Sequence, residues 1–231
     1  MYITANTGKG YYDIEEAQDC SSWEKPEKEL GLVYWDYYHK DTKIYEKILG
    51  VHKQISDNVI FAGGSWAWNG MAPNHSKTLE CTISALQSCK ENKLKEVFCT
   101  VWLDNGAETP INAALPGIAL FAYLGFHQSY NSEEFAAEFK NCTEGYLEDF
   151  FVLDKFDPLF LDGKSNQAAD NPSKYLLYQD PLTGIFDYHI KESGIDAKKY
   201  YSDLKIKIGE CAARCDKYSK LFLYYEKLAD V

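Results

Sequence analysis

The chain has 231 residues, of which 45% are hydrophobic, so it can bury a sizeable core. It carries 35 acidic and 24 basic residues, a net charge of −11, and the basic residues form no cluster. This balance argues against a nucleic acid or an anionic membrane as partner and fits a neutral or cationic ligand, or simply solubility. Aromatic residues make up 15% of the chain and either fill the core or line a ligand site.

The first half of the chain alternates between strand-like and helix-like patterns. Continuous apolar runs predict three strands at Leu32–Trp35, Asn58–Ala62 and Val97–Trp102. Apolar residues at helical spacing predict helices at Asp41–Ile55, Ser76–Asn92 and Pro110–Leu124. Because the strands are apolar throughout, the pattern favours a parallel sheet covered by helices. Met1–Ala5 is a further β-like run at the amino terminus.

After about residue 131 the pattern becomes mostly helical. Ser132–Cys142 begins with acidic residues in its first turn, as helices do. Residues 144–156 form a helix or a turn, and residues 162–172 are a polar loop. Asp180–Gly184 is a turn, and Ile195–Leu228 is one long helix or two. We therefore predict two parts, an α/β part over residues 1–130 and a helical region over residues 131–231.

The end of the first predicted strand carries a phenol and a carboxylate two residues apart. Tyr34 and Asp36 can point in the same direction because alternate residues of a strand share a face. Ligand sites of parallel α/β folds lie beyond the carboxyl ends of the strands. The pair suits a ligand with hydroxyl or amide groups. The alternative is a core aromatic followed by an Asp that caps a helix, and the sequence leaves both open.

The other two strands also end in aromatic residues. Trp66 and Trp68 follow a pair of glycines, and Trp102 is followed two residues later by Asp104. Indole faces can cover a pyranose ring while a carboxylate accepts hydrogen bonds from sugar hydroxyls. One of the two tryptophans after the glycines can instead be buried under the loop, and Asp104 can instead cap a helix. Together the strand ends predict one wall of a sugar-binding pocket.

No other chemistry stands out in the sequence. His39 and His75 lie in loops near the predicted site, but no Ser or Cys is placed beside them as a nucleophile. The seven cysteines include no CxxC pair, and Cys211 and Cys215 lack two further ligands for zinc. We therefore expect reduced thiols, no metal and no cofactor. Residues 1–15 show no signal peptide, and no apolar run is long enough to span a membrane, so we expect a cytoplasmic protein.

Three motifs, taken in order, resemble glycoside hydrolase family 20, the β-N-acetylhexosaminidases, and most closely their intracellular bacterial branch. They are Tyr-Trp-Asp-Tyr-Tyr at Tyr34–Tyr38, Phe-Ala-Gly-Gly-x-Trp-x-Trp at Phe61–Trp68, and Thr100–Glu108. The last motif has Leu103 where the family pattern has Gly. The resemblance covers residues 1–130, and the helical part matches the carboxy-terminal region of the family only loosely.

The resemblance implies a fold and a mechanism. The fold is a (β/α)₈ TIM barrel in which the three strands are the last three. In this family the 2-acetamido carbonyl of the substrate attacks the anomeric carbon, a Glu is the general acid and a neighbouring Asp steadies the acetamide. That Asp-Glu pair belongs to strand four of the barrel, which this chain does not contain, and Glu15-Glu16 and Glu133-Glu134 stand in the wrong context to replace it. We therefore expect a fragment that is inactive alone, with no catalytic residue of its own.

The resemblance also implies roles for the strand-end residues. Tyr34 would hydrogen-bond the acetamide carbonyl, Asp36 would orient neighbouring groups, Trp102 would lie under the sugar ring and Asp104 would bind a ring hydroxyl. Trp66 or Trp68 would add a stacking face. Expected partners are N-acetylhexosamine-containing glycans and either the missing amino-terminal barrel half or a second copy of the chain. Alternatives are a non-catalytic sugar-binding or interaction module and an unrelated α/β enzyme.

Overall fold

A computed structural model describes residues 19–68, 70–103, 106–157 and 172–231 of the chain. Three predicted features lie wholly or almost wholly outside these residues: the run Met1–Ala5, the loop at 162–172 apart from its last residue, and Asp104. Within the described ranges the protein is of mixed α/β type, with one small parallel sheet and many helices.

The sheet has three parallel strands in the order β1-β2-β3, as the continuous apolar runs predicted. The strands are β1 Leu32–Trp35, β2 Val59–Gly64 and β3 Val97–Thr100. Tyr34 of β1 pairs with Phe61 of β2, which pairs in turn with Val97 of β3. The strand β3 ends two residues before its predicted end because Trp102 and Leu103 have left-handed backbones, with φ of 56° and 59°, which cannot continue a strand.

Two helices make the crossovers that a parallel sheet requires. Helix α1 spans Thr42–Ile55 and helix α2 spans His75–Glu91. Asp41 caps α1 by accepting a hydrogen bond from the backbone N–H of Lys43 at 2.9 Å. The buried face of α1 consists of residues at helical spacing, namely Tyr45, Ile48, Leu49 and Val51.

The third predicted helix starts later than its sequence pattern indicates. Ile111–Ala114 forms a 3₁₀ helix, and helix α3 spans Leu115–Phe126. Pro110 stands at the start without a side chain that can cap the backbone N–H groups, so the first turn is tightened into the 3₁₀ form.

The carboxy-terminal region is helical, as predicted. Its helices are α4 Ser132–Thr143, α5 Leu147–Phe151, α6 Pro172–Tyr178, α7 Asp187–Ser193, α8 Ala197–Arg214 and α9 Ser219–Leu228. Short 3₁₀ helices lie at Val152–Phe156 and Asp216–Tyr218. The segment from residue 195 to 228 is therefore two helices, separated where Cys215 adopts an extended backbone.

The chain divides into two compact units that alternate along the sequence. The first contains residues 78–100, 124–130 and the described part of 1–64, and the second contains residues 65–77, 101–123 and the described part of 131–231. The core of the first unit contains the rings of Tyr34, Tyr45 and Phe61, and that of the second contains Phe150 and Phe222, whose centroids are 5.5 Å apart. The predicted boundary at residue 130 stays a prediction.

Across the described ranges, no helix combines the length and the apolar character that crossing a bilayer requires.

Candidate functional site

A buried cluster of polar side chains lies at the carboxyl end of β1 in the first unit. Tyr34 and Asp36 are each 1% exposed. One carboxylate oxygen of Asp36, Oδ2, accepts the Tyr34 hydroxyl at 2.5 Å and contacts Nδ1 of His39 at 2.6 Å. The other, Oδ1, accepts the backbone N–H of Tyr38 at 2.9 Å. Both oxygens of this buried carboxylate are therefore hydrogen-bonded, as a buried charge requires.

Aromatic packing and one further hydrogen bond hold the cluster in place. The Tyr34 ring lies 4.9 Å from the His52 ring and 5.5 Å from the Phe61 ring, measured between centroids. The Tyr45 hydroxyl donates to the backbone carbonyl of His39 at 2.8 Å. Burial, with the nearby Asp36 charge, raises the pKa of Tyr45 well above its usual range, and burial lowers the pKa of His52. Both therefore stay neutral near pH 7 and add no charge beside Asp36.

Trp66 and Trp68 pack against each other in the second unit. Their ring centroids are 4.4 Å apart at an interplanar angle of 30°, and the residues are 2% and 8% exposed. The ammonium of the buried Lys77 lies 4.0 Å from the centroid of Trp66, a cation–π contact. The backbone N–H of Asn74 donates to the Trp66 carbonyl at 2.7 Å and closes the loop that carries the pair. Both tryptophans are thus buried, whereas the alternative drawn from the sequence had one of the two buried under the loop.

Trp102 differs from the other tryptophans because 46% of it is exposed. Its φ of 56° and the 2.9 Å hydrogen bond from the N–H of Leu103 to the carbonyl of Val101 define a three-residue turn centred on Trp102. Turns of this hand are rare and strained for residues other than glycine. The next residue, Leu103, also has a positive φ, at the position where the family pattern has Gly. Strained backbone persists only where the surrounding structure enforces it, and it is found often at ligand sites.

The residues of the predicted wall are divided between the two units. Tyr34 and Asp36 are hydrogen-bonded to each other in the first unit, whereas Trp66, Trp68 and Trp102 belong to the second unit. Asp104 lies outside the described residues, and the assembly of all six into one wall stays a prediction.

The sequence did not assign two residues that contact the predicted site. No Ser or Cys lies beside His39 to indicate a catalytic role, yet its partner is the carboxylate three residues earlier. That spacing was the available signal. Lys77, the third residue of α2, lies over the ring of Trp66, and no pattern in the sequence distinguishes it from a solvated lysine.

A second buried polar cluster lies at the amino end of α2, within the second unit. Asp154 accepts the backbone N–H groups of His75 and Ser76 at 2.5 and 2.9 Å and the Ser76 hydroxyl. Burial raises the pKa of Asp154 to about 6 and lowers the pKa of His75 to about 3. This cluster fixes the start of a helix, and we assign it a structural role.

The cysteines show the chemistry of reduced, structural thiols. All seven lie in the part of the chain that the structure describes and none of them forms a disulfide there, and Cys20, Cys81, Cys89 and Cys211 are buried. Burial raises the pKa of Cys89 and of Cys211 to about 12, so both carry protons at neutral pH. Protonated thiols are poor nucleophiles and poor metal ligands.

Comparison with protein families identifies the carboxy-terminal part of the chain. Residues 148–231 match the model of the Glycoside Hydrolase 20C C-terminal domain, a segment that begins in α5 and runs through α9. A comparison with curated proteins gave no match. The match falls in the region whose sequence resembled the family only loosely, and it lies after the strand-end motifs in the chain. Residues 148–231 are therefore similar to the carboxy-terminal domain of family 20 glycoside hydrolases.

Proposed function

We propose that the chain forms the acetamide-and-hydroxyl side of a β-N-acetylhexosaminidase site and binds terminal N-acetylhexosamine residues of glycans. The observation that carries this proposal is Trp102, a half-exposed indole on a strained turn after β3, in a chain with a family 20 domain. An aromatic face that a strained backbone holds exposed is suited to stacking on a sugar ring.

The proposed roles follow the chemistry of each side chain. The indole of Trp102 lies under the pyranose ring, and Asp104 accepts a hydrogen bond from a ring hydroxyl. Tyr34 donates to the acetamide carbonyl, and Asp36 orients Tyr34 through the 2.5 Å hydrogen bond between them. Trp68, which keeps 8% exposure against 2% for Trp66, is the better candidate for a second stacking face.

In the complete site, hydrolysis retains the anomeric configuration and is assisted by the substrate. The acetamide carbonyl attacks the anomeric carbon, while an Asp-Glu pair steadies the acetamide and protonates the leaving group. The pair Glu133-Glu134 opens α4, where the N–H groups of both bond to Asn131 and the Glu134 carboxylate accepts the Tyr123 hydroxyl at 2.8 Å. These contacts give the pair a role in the helix start. We therefore propose binding without turnover for the 231-residue chain.

We also propose that β1, β2 and β3 are the last three strands of a TIM barrel in a cytoplasmic enzyme. The parallel order β1-β2-β3 with helical crossovers supports this arrangement. Val97 and Phe98 of β3 are more than a third exposed, as expected of a strand that meets further protein. The same exposure favours the second candidate function, a non-catalytic interaction module that pairs with a barrel half or a second copy.

Titration with N-acetylglucosamine, followed by tryptophan fluorescence, tests the binding proposal. We expect saturable quenching that weakens about two- to tenfold in Trp102→Ala, because an aromatic contact contributes about 0.5 to 1.5 kcal/mol. Trp23→Ala is the matched control, since Trp23 is similarly exposed at 40% and lies outside the predicted site.

Two outcomes would overturn the proposal. Absence of saturable binding, or equal binding by Trp102→Ala and Trp23→Ala, would remove the role of Trp102. Measurable release of the aryl group from an aryl N-acetyl-β-glucosaminide, lost in Asp104→Ala, would show that the chain cleaves as well as binds.

A further inference from the structure

We propose that His39 is a positioning residue that frees the Tyr34 hydroxyl to bind a ligand carbonyl. This inference rests on the proposed function and names a residue that neither the motifs nor the family match assigns. In the structure His39 and Tyr34 share one acceptor, Oδ2 of Asp36, at 2.6 and 2.5 Å.

The need for such a residue follows from the number of hydrogens available. A phenol has a single hydroxyl hydrogen, and that of Tyr34 is donated to Asp36. To donate to an acetamide carbonyl, Tyr34 must first release Asp36. The Asp36 side chain is fully buried, so Oδ2 would be costly to leave without a donor once Tyr34 turns away.

His39 removes this difficulty because it already donates to the same oxygen. When the Tyr34 hydroxyl turns toward the ligand, the Nδ1–H of His39 stays on Oδ2 and the buried carboxylate keeps a donor on each oxygen. The Asp36 charge is stabilised in both states, so the hydroxyl can move between two acceptors at low cost.

The surroundings of His39 hold the imidazole in the position this role requires. The Tyr45 hydroxyl fixes the His39 backbone carbonyl at 2.8 Å, and the two rings meet edge to face with centroids 6.0 Å apart. The His39 side chain is 18% exposed, whereas that of Asp36 is fully buried, so the cluster reaches the surface at His39.

The ligand group that this arrangement selects is a carbonyl beside the sugar ring. A released phenol hydrogen binds an acceptor such as the acetamide oxygen of N-acetylglucosamine. Glucose lacks the acetamide group, so its binding does not require a hydrogen bond from the Tyr34 hydroxyl.

Competition for Oδ2 can be measured without any ligand. In ¹⁵N-resolved NMR spectra of the full chain we expect the His39 proton on Nδ1. In Tyr34→Phe, where His39 holds the oxygen alone, this proton should move downfield, and in Asp36→Asn it should move upfield. Tyr178→Phe, which removes an exposed phenol elsewhere, is the control and should leave it in place. If the chemical shift of the Nδ1 proton does not change in Tyr34→Phe, the proposal is overturned, whether or not the chain binds sugar.

Binding then tests the consequence for the ligand. We expect His39→Ala to weaken N-acetylglucosamine about tenfold, the effect of removing one hydrogen bond at a buried charge, and His39→Gln to recover part of that loss. In the Tyr34→Phe background the His39→Ala change should have no further effect, and glucose binding should be unaffected throughout. An equal loss with and without the Tyr34 hydroxyl, or an equal loss for glucose, would reduce His39 to a structural residue and overturn the proposal.

Discussion

At the scale of single residues, His75 is a buried imidazole. Neither ring nitrogen has a hydrogen-bonding partner among the residues that the structure describes, and the ring centroid lies 5.4 Å from that of Phe151. Burial lowers its pKa to about 3, whereas an unfolded chain would show the ordinary value of 6.5. Between these values the unfolded state binds one more proton than the folded state, so the free energy of unfolding falls as the pH falls.

We predict that His75→Leu removes this acid sensitivity. Between pH 6.5 and 4.5 the wild type should lose about 1.4 kcal/mol per pH unit relative to the variant. Urea unfolding of both proteins at each pH measures the difference, in which the opposite titration of Asp154 cancels because both proteins keep it. A constant difference across this range would contradict a buried, neutral His75.

The strand-end residues show which side-chain contacts can be predicted from the sequence. Tyr34 and Asp36 were expected to share a direction because of the strand period of two, and a 2.5 Å hydrogen bond joins them. His39 lies beyond the strand, where that period no longer applies, so its place on Asp36 depends on a loop conformation held by the distant Tyr45 hydroxyl. Rules based on neighbouring residues in the sequence therefore cannot predict the contact between His39 and Asp36.

At the scale of elements, helix α2 ends in a left-handed residue that is not glycine. Lys93 has a φ of 57°, its N–H bonds to the carbonyl of Lys90, and the N–H of Leu94 bonds to that of Cys89. This is the Schellman arrangement, in which glycine is favoured at the Lys93 position.

We predict that Lys93→Gly stabilises the protein by about 1 kcal/mol, because glycine adopts this backbone without the strain of a side chain. Lys93 is exposed, so little packing is lost. The matched change Lys47→Gly, at an exposed lysine within α1, should destabilise by about the same amount. Urea midpoints of the two variants that move in the same direction would refute the Schellman explanation.

The other end of α2 shows which features of an element its own sequence can determine. Asn74 accepts the N–H of Lys77 at 3.0 Å, a local cap of the kind that sequence patterns reveal. Asp154 satisfies two more N–H groups from 79 and 78 positions away along the chain. A helix start could therefore be predicted, but the residue that completes its hydrogen bonding could not.

At the scale of the whole molecule, parallel strands were predictable because a continuous apolar run leaves few alternatives in a sheet covered by helices. The helical carboxy-terminal region was also predictable, and residues 148–231 of it carry the family match. The compact units were not predictable, since segments 65–77 and 101–123 join the carboxy-terminal residues through tertiary contacts that leave no mark on composition.

Within the described ranges, β1 and β3 are the outer strands of the sheet. Outer strands can pair with strands of further protein. Phe98 of β3 is 39% exposed and meets Trp35 of β1 edge to face, with centroids 5.3 Å apart. Such a surface favours association with further strands or with a second copy of the chain.

We predict that the purified chain self-associates and that Phe98→Lys weakens this association about tenfold or more. Burying a phenylalanine at an interface contributes about 1.5 to 3 kcal/mol, and a lysine ammonium at the same place opposes burial. Sedimentation velocity over a range of concentrations measures the effect. Leu182→Lys is the control, since Leu182 is 96% exposed in the turn before α7 and should not change the distribution. A wild type that stays monomeric at all concentrations would count against the proposed barrel strands, because outer strands of a partial barrel are expected to pair with further protein.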